Sequence, residues 1–170
     1  MIAVASIMPE PVRKSITVEA PAERAFEVFT SQFGTWWPAT HSIGSSPLKN
    51  AVIEPRTGGR WYEVGEDGSE CEWGEVIAWE KPTRLVLAWR IGVDWRYDPN
   101  LLTEVEVRFT QVAENATQVE LEHRLLETMG DKAAAARESF SSPGGWPGLL
   151  AAYAEKVGES NPSATMTGGG

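Results

Sequence analysis

The chain has 170 residues, of which 42% are hydrophobic, and a formal net charge of −9, so it is long enough to bury a substantial core as one domain. Residues 51–130 carry sixteen acidic and eight basic side chains, and such a surface repels nucleic-acid phosphates and anionic lipid heads. With one cysteine, two scattered histidines and no long apolar run, the sequence excludes an internal disulfide, a multi-cysteine metal site and a membrane-spanning helix.

The N-terminal residues bear on where the protein is located. Residues 1–11 lack a basic segment and run into Pro9 and Pro11, which predicts a flexible arm and not a signal peptide. We therefore expect a cytoplasmic protein with no nucleic-acid or membrane partner. No motif for phosphate, dinucleotide or metal binding is present, so no cofactor is expected.

The first elements are a strand, a helix and a long loop. Alternating β-branched residues predict a strand from Val12 to Val18, and apolar residues at helical spacing predict a helix from Pro21 to Phe33. The serine-rich segment 39–50 follows as a candidate entrance loop. It contains His41, which alone in a loop is usually a solvated residue and not a catalyst.

An antiparallel meander is predicted next. Turn signals separate strands over residues 51–55, 60–64, 70–79, 84–91, 101–112 and 116–125. The last two alternate most cleanly, with Phe109 and His123 on the apolar side and charged residues on the other. This alternation predicts a sheet with one wet face and one dry face.

Two helices and a tail complete the chain. Residues 131–140 are strong helix formers. In the segment 144–158, apolar residues recur at helical spacing from Trp146 onward, with Pro147 suited to the first turn and Gly158 to the position after the last. This helix must lie against a large apolar surface, which the dry sheet face provides. Residues 159–170 are small and polar, and we expect them to be disordered.

The order of these elements, with several local motifs, resembles a known superfamily. The motifs are Ala20-Pro21 with Ala25-Phe26 and Phe29, Trp37, RTGGRW at 56–61, Gly74-Glu75-Val76, Lys81-Pro82 through Leu85 to Trp89, 117–122, and Gly145-Trp146 with Leu149-Leu150. Residues 12–158 are identified as a START-like SRPBCC domain, similar to the C-terminal domain of the activator of Hsp90 ATPase. The resemblance implies an α+β helix-grip fold, in which a curved antiparallel sheet surrounds a long C-terminal helix and leaves a cavity for apolar molecules.

Three polar positions are candidates for the dry face. Strand parity points His123 inward, where it either bonds a buried partner or meets a ligand. Glu63 and Glu75 turn inward if Trp61 and Trp73 do, and a buried carboxylate could act as an acid or base.

The surplus of large rings on the dry face predicts a ligand cavity, because one helix cannot cover so broad a surface. The residues predicted to line it are Phe29, Phe33, Trp37, Trp61, Glu63, Trp73, Trp89, Phe109, His123, Trp146, Leu150 and Tyr153.

Binding of a small hydrophobic or aromatic ligand in this cavity is the first functional hypothesis. A cyclase- or dehydratase-like enzyme acting on a polyketide-like substrate is an alternative, and it requires convergent titratable groups. A partner-binding domain like the Hsp90 activator is another, and it requires a filled core with an exposed apolar patch. The protein is expected to be a monomer or homodimer.

Overall fold

Residues 10–159, the part of the chain that this computed structural model describes, form one antiparallel sheet packed against helices. The strands are β1 (Val12–Val18), β2 (Leu48–Ile53), β3 (Arg60–Gly65), β4 (Glu70–Glu80), β5 (Arg84–Trp89), β6 (Thr103–Ala113) and β7 (Ala116–Arg124). The helices are α1 (Ala22–Thr30), α2 (Phe33–Trp36), α3 (Ala133–Ser141) and α4 (Trp146–Glu159), with a 3₁₀ segment at Leu126–Lys132.

The sheet has the strand order β1-β7-β6-β5-β4-β3-β2. All strands after β1 follow one another as neighbours, whereas β1 pairs with β7 at the far edge. The two helices α1 and α2 make the crossing from β1 to β2. The predicted α+β helix-grip architecture is confirmed.

The long helix α4 buries the apolar stripe that the sequence predicts. Its buried side chains are Trp146, Leu149, Leu150, Tyr153 and Val157, and it packs on β1, α1, α2 and α3. Tyr153 is fixed further by a 2.6 Å hydrogen bond from its hydroxyl to the carbonyl of Ala25 in α1. The helix runs through Gly158 to Glu159, so the prediction that Gly158 lies beyond its end is wrong.

Several predicted boundaries also shift. The first helix ends at Thr30, and Phe33 begins the separate short helix α2. Strand β2 begins at Leu48, inside the predicted loop, because it pairs with β3. The N-terminal arm (1–11) and tail (159–170) lie almost wholly outside the described residues. Within those residues, no helix is both long and apolar enough to cross a membrane.

Strand β4 contains two bulges, which affect the side chains that it turns toward the interior. The register with β3 shifts at Trp73, and the register with β5 shifts at Ile77, and such bulges change which side chains point to which face. Trp73 and Val76 are therefore both buried, although three positions separate them. Glu63 faces the interior with 1% exposure, whereas Glu75 faces outward and pairs with Arg90.

Candidate functional site

The residues predicted to line the ligand cavity are brought together as one continuous core. They are Phe29, Phe33, Trp37, Trp61, Glu63, Trp73, Trp89, Phe109, His123, Trp146, Leu150 and Tyr153, and each is at most 5% exposed. A side chain that faced an open cavity would retain accessible surface. These side chains face one another instead, and together they fill the space between the sheet and the helix.

Ring contacts fill this interior. The centroid of Trp61 lies 5.5 Å from that of Trp73 and 5.6 Å from that of Trp89, both at steep angles. Phe33 stacks on Trp37 at 4.9 Å. Aromatic pairs in these geometries contribute about 0.5–1.5 kcal/mol each beyond the burial of their area. Tight ring packing therefore replaces the open cavity that the surplus of aromatic residues predicted.

A small cavity of about 30 Å³ lies where this core reaches the surface, and we call it the mouth cavity. It has room for about one or two water molecules. Its lining consists of Trp37, His41, Trp89, Trp95, Ser139, Phe140, Gly144, Gly145, Trp146 and Leu149. The predicted site and the predicted entrance loop thus meet at this point, beside the first turn of α4.

Trp95 stands on the rim of the mouth cavity in an unusual conformation. Its side chain is 46% exposed, its backbone φ is 60°, and its ring centroid lies 6.3 Å from that of His41. A bulky residue in the left-handed region is a strained feature that concentrates at functional sites. Residues 92–100 connect two predicted strands, and nothing in their pattern indicates a positive φ at Trp95.

His123 is buried, and both of its ring nitrogens form hydrogen bonds within the protein. Of the two alternatives that strand parity left open, this is the bond to a buried partner. The indole N–H of Trp146 donates to its Nδ1 at 3.1 Å, so Nε2 carries the ring proton and donates to Thr103 Oγ1 at 2.8 Å. The Thr103 hydroxyl then donates to the carbonyl oxygen of Trp89 at 2.9 Å. Burial lowers the pKa of His123 to about 3, so the imidazole is neutral and both its nitrogens are occupied.

Phe140 is a neighbour of His123 that the sequence did not point to. Its ring stacks on the imidazole with centroids 4.3 Å apart and also meets Trp89 at 5.5 Å. The helix over residues 131–140 is predicted from propensity alone. Its single aromatic residue is the one signal in the sequence that α3 contacts the core. Thr103 was also missed, although its parity on β6 matches that of Phe109.

Glu63 holds the entrance loop to the sheet. Its carboxylate accepts the backbone N–H groups of Ile43 at 2.7 Å and Gly44 at 3.1 Å, and the indole N–H of Trp73 at 2.9 Å. Charge-assisted hydrogen bonds of this kind are stronger than neutral ones. The buried carboxylate that was a candidate acid or base is thus occupied in positioning residues 39–47.

His41 connects the entrance loop to the start of α4. Its Nε2 donates to the carbonyl oxygen of Gly144 at 2.8 Å, and its Nδ1 accepts the Thr40 hydroxyl at 3.1 Å. Its own backbone carbonyl accepts the Trp37 indole N–H. His41 is therefore partnered, contrary to the expectation of a solvated loop residue, and it closes one side of the mouth cavity.

A larger groove, of about 340 Å³, lies on the opposite, wet face of the sheet. Its lining is mostly charged, and Glu106 at its floor accepts from Arg84 and Arg124 at 2.5 and 2.7 Å. Burial alone would raise the pKa of Glu106, but these arginines bring it below its ordinary value. The groove is polar and its charges are mutually paired, so it suits an apolar ligand poorly despite its size.

The side chains that could bind a metal ion are dispersed within the described residues. No group of three or more His, Cys, Asp or Glu side chains lies close enough to hold a metal ion within residues 10–159. Cys71 is half-buried, and burial, together with the nearby Glu63 carboxylate, raises its pKa. A raised pKa makes the thiol a poor nucleophile and ligand.

Comparison with known proteins decides the family. The sequence profile of Activator of Hsp90 ATPase homolog 1-like protein matches residues 19–154. The chain belongs to this family. The family agrees with the START-like branch that the sequence motifs indicated, and the match runs from the residue after β1 to residue 154 in α4. No functionally curated protein matches the sequence.

Solved structures agree with this assignment. An anthrahydroquino-γ-pyrone synthase, Txn09, complexed with SUM, is 38% identical over 87% of this chain and 97% of its own, with a TM-score of 0.61. CalC from Micromonospora echinospora, a self-sacrificing resistance protein, is 35% identical over 90% and 97% of the two chains, with a TM-score of 0.68. Protein NE0264 from Nitrosomonas europaea, at 12% identity, 89% and 96% coverage and a TM-score of 0.61, shares the fold.

Proposed function

We propose that this protein binds a flat, apolar, aromatic small molecule between the sheet and α4, entering through the mouth cavity. The observation that carries the proposal is a continuous path of aromatic rings from the surface to the centre of the core. It begins at Trp95 and His41 on the rim, continues through Trp37, Trp146 and Trp89, and ends at Trp61. Ring-lined clefts with few polar groups are the usual form of small-molecule sites.

The relatives support the same class of function. The synthase that shares 38% identity is named for a fused aromatic ring system, an anthrahydroquino-γ-pyrone. The relative that shares 35% identity is a self-sacrificing resistance protein. Both relatives align over nearly their whole length, so the elements that form the mouth cavity have counterparts in them.

Binding requires the walls to part, because 30 Å³ is far below the roughly 300–1,000 Å³ of a typical ligand pocket. The parts best placed to move are the entrance loop and the junction between α3 and α4, which the His41–Gly144 hydrogen bond joins. If the open form is a minor population, the apparent affinity falls by that fraction. We therefore expect modest affinity for any ligand that must open the site itself.

A thermal-shift screen with neutral polycyclic aromatic compounds tests the proposal. A compound that binds only the folded chain stabilises it by about 2.7 kcal/mol at one hundred times its Kd. Ser139 is an exposed residue on the rim, and Ser139→Trp should obstruct the mouth and abolish the shift. Glu138→Trp, one residue away on α3 and outside the mouth lining, is the matched control and should keep it. Equal shifts in both variants would place binding elsewhere.

A partner-binding role is the second candidate, and the filled core and an exposed apolar loop favour it. Val93, Trp95 and Tyr97 are 39–46% exposed on the same loop, and clustered apolar exposure marks interaction surfaces. The same screen discriminates the two, since a domain that only binds partners would respond to none of the compounds.

We do not extend the proposal to catalysis. One relative is named as a synthase, but a cyclase-like activity requires titratable groups that converge on a substrate. His123 and Glu63, the two buried candidates, are each committed to hydrogen bonds within the protein.

A further inference from the structure

One buried indole in the core differs from the others in its hydrogen bonding. Six tryptophans are at most 5% exposed, and five of their N–H groups donate to the protein. The five are Trp36 to Val28 O, Trp37 to His41 O, Trp73 to Glu63 Oε1, Trp89 to Ile91 O and Trp146 to His123 Nδ1. The Nε1–H of Trp61, a residue with no exposed surface, finds no acceptor among the described residues.

An orphaned polar group of this kind calls for an explanation, because nearly all buried polar groups in native proteins are paired. The ring of Trp61 is surrounded by those of Phe33, Trp73 and Trp89, with centroids 5.5–5.9 Å away. Aromatic faces are at best weak acceptors. The neighbouring residues therefore supply apolar surface to this N–H and leave its hydrogen-bonding capacity unused.

Trp61 lies one ring behind the mouth cavity. Trp89 lines that cavity and also touches Trp61, so a ligand that displaced the Trp89 ring would reach the free N–H. The other polar groups along this path, on Trp37, Trp89 and His123, are already bonded. Within residues 10–159, a ligand seated here would thus meet one buried polar group on this path that lacks a partner, and that group is a donor.

We infer that the Trp61 N–H is the polar anchor of the ligand site and that it selects an uncharged acceptor oxygen, such as the carbonyl of a quinone or aryl ketone. The inference rests on the proposed function. A carboxylate at this position would lose its hydration with no cation beside it, which is costly. A hydroxyl could accept from this N–H, but its own proton would then need a second partner, whereas a carbonyl pairs the orphan donor with no further requirement.

Two probes of matched shape test the inference. We choose 2-(hydroxymethyl)anthraquinone, which has ring carbonyls, and 2-(hydroxymethyl)anthracene, which lacks them. Calorimetric titration of the full chain should give a Kd for the quinone about tenfold below that for the anthracene alcohol, the factor that one net hydrogen bond of about 1.4 kcal/mol provides. Trp61→Phe keeps an aromatic ring but removes the donor, and the preference should disappear. Trp36→Phe, which removes an indole bonded to Val28, should keep it.

Indole ¹⁵N–¹H spectra of the wild type provide a readout that does not depend on any variant folding. The Trp61 resonance, assigned through contacts with Trp73 and Trp89, should move downfield with the quinone and not with the anthracene alcohol.

The outcomes separate the two proposals. Equal affinities for both probes in the wild type, or a quinone preference that survives in Trp61→Phe, would overturn the anchor while leaving ligand binding intact. Failure of both probes to bind would overturn the anchor and the proposed function together.

Discussion

His123 is the residue whose environment gives the sharpest expectation. It is completely buried, and burial lowers its pKa from 6.5 to about 3, because the interior disfavours the charged imidazolium. The unfolded chain therefore takes up a proton at His123 below pH 6.5, while the folded chain does not until about pH 3. The stability that this neutral histidine contributes is fully present above pH 6.5 and is lost as the pH falls toward 3.

We predict that the difference in unfolding free energy between the wild type and His123→Gln shrinks by about 1.4 kcal/mol per pH unit on acidification between about pH 6 and pH 4. Urea unfolding at several pH values measures this difference. His41→Gln, measured in the same way, is the control for the contribution of the other histidine to the pH dependence of stability. A wild-type advantage that stays constant over this range would mean that His123 is not buried as a neutral group.

At the scale of elements, the attachment of the entrance loop depends on one carboxylate. Glu63→Gln replaces an acceptor of three N–H donors with a group that presents its own donors. We predict a loss of about 2–3 kcal/mol, the range for leaving buried polar groups unsatisfied. The amide protons of Ile43 and Gly44 should also exchange faster.

Glu75→Gln is the matched control for this loop experiment. Glu75 pairs with Arg90 on the outer face, where its side chain is 40% exposed, and exposed ion pairs contribute about 0–1 kcal/mol. If the two variants lost the same stability and left amide exchange at Ile43 unchanged, Glu63 would not be holding the loop.

Docking of α4 depends most on the residue that begins it. Trp146 is 2% exposed and donates to His123, so Trp146→Ala should cost about 3–5 kcal/mol, the usual range for a buried tryptophan. Denaturant unfolding measures the change. A loss below about 1 kcal/mol, typical of surface positions, would contradict the packing described for this helix.

For the whole molecule, the sequence was sufficient for the architecture but not for the state of the interior. Strand alternation and the helical stripe from Trp146 fixed the elements, because burial imposes those periods. Glu75 could not be placed, because the bulge at Trp73 in β4 changed its face relative to that tryptophan and leaves no clear signal in one sequence. The ring surplus correctly located the core, yet composition does not reveal whether rings pack against one another or leave space.

The hydrogen bonds of the site depend on long-range geometry. The sequence placed His123 inside, and Glu63 only on the condition that Trp61 faces inward, but their partners come from Trp146, Thr103 and the entrance loop. These groups are far apart along the chain, and only the folded register brings them together. Among the six buried indoles within residues 10–159, the same geometry leaves only that of Trp61 without an acceptor, which composition could not indicate.

The most direct test of ligand binding between the sheet and α4 is an indole ¹⁵N–¹H titration of the whole chain with 2-(hydroxymethyl)anthracene. We predict that the resonances of Trp37, Trp89 and Trp146 shift together and saturably, because the rings that close the mouth cavity must part around the probe. Trp36, which lies outside the cavity lining, should change little. Shifts confined to the exposed Trp95, or a spectrum unchanged at saturating probe, would contradict the account.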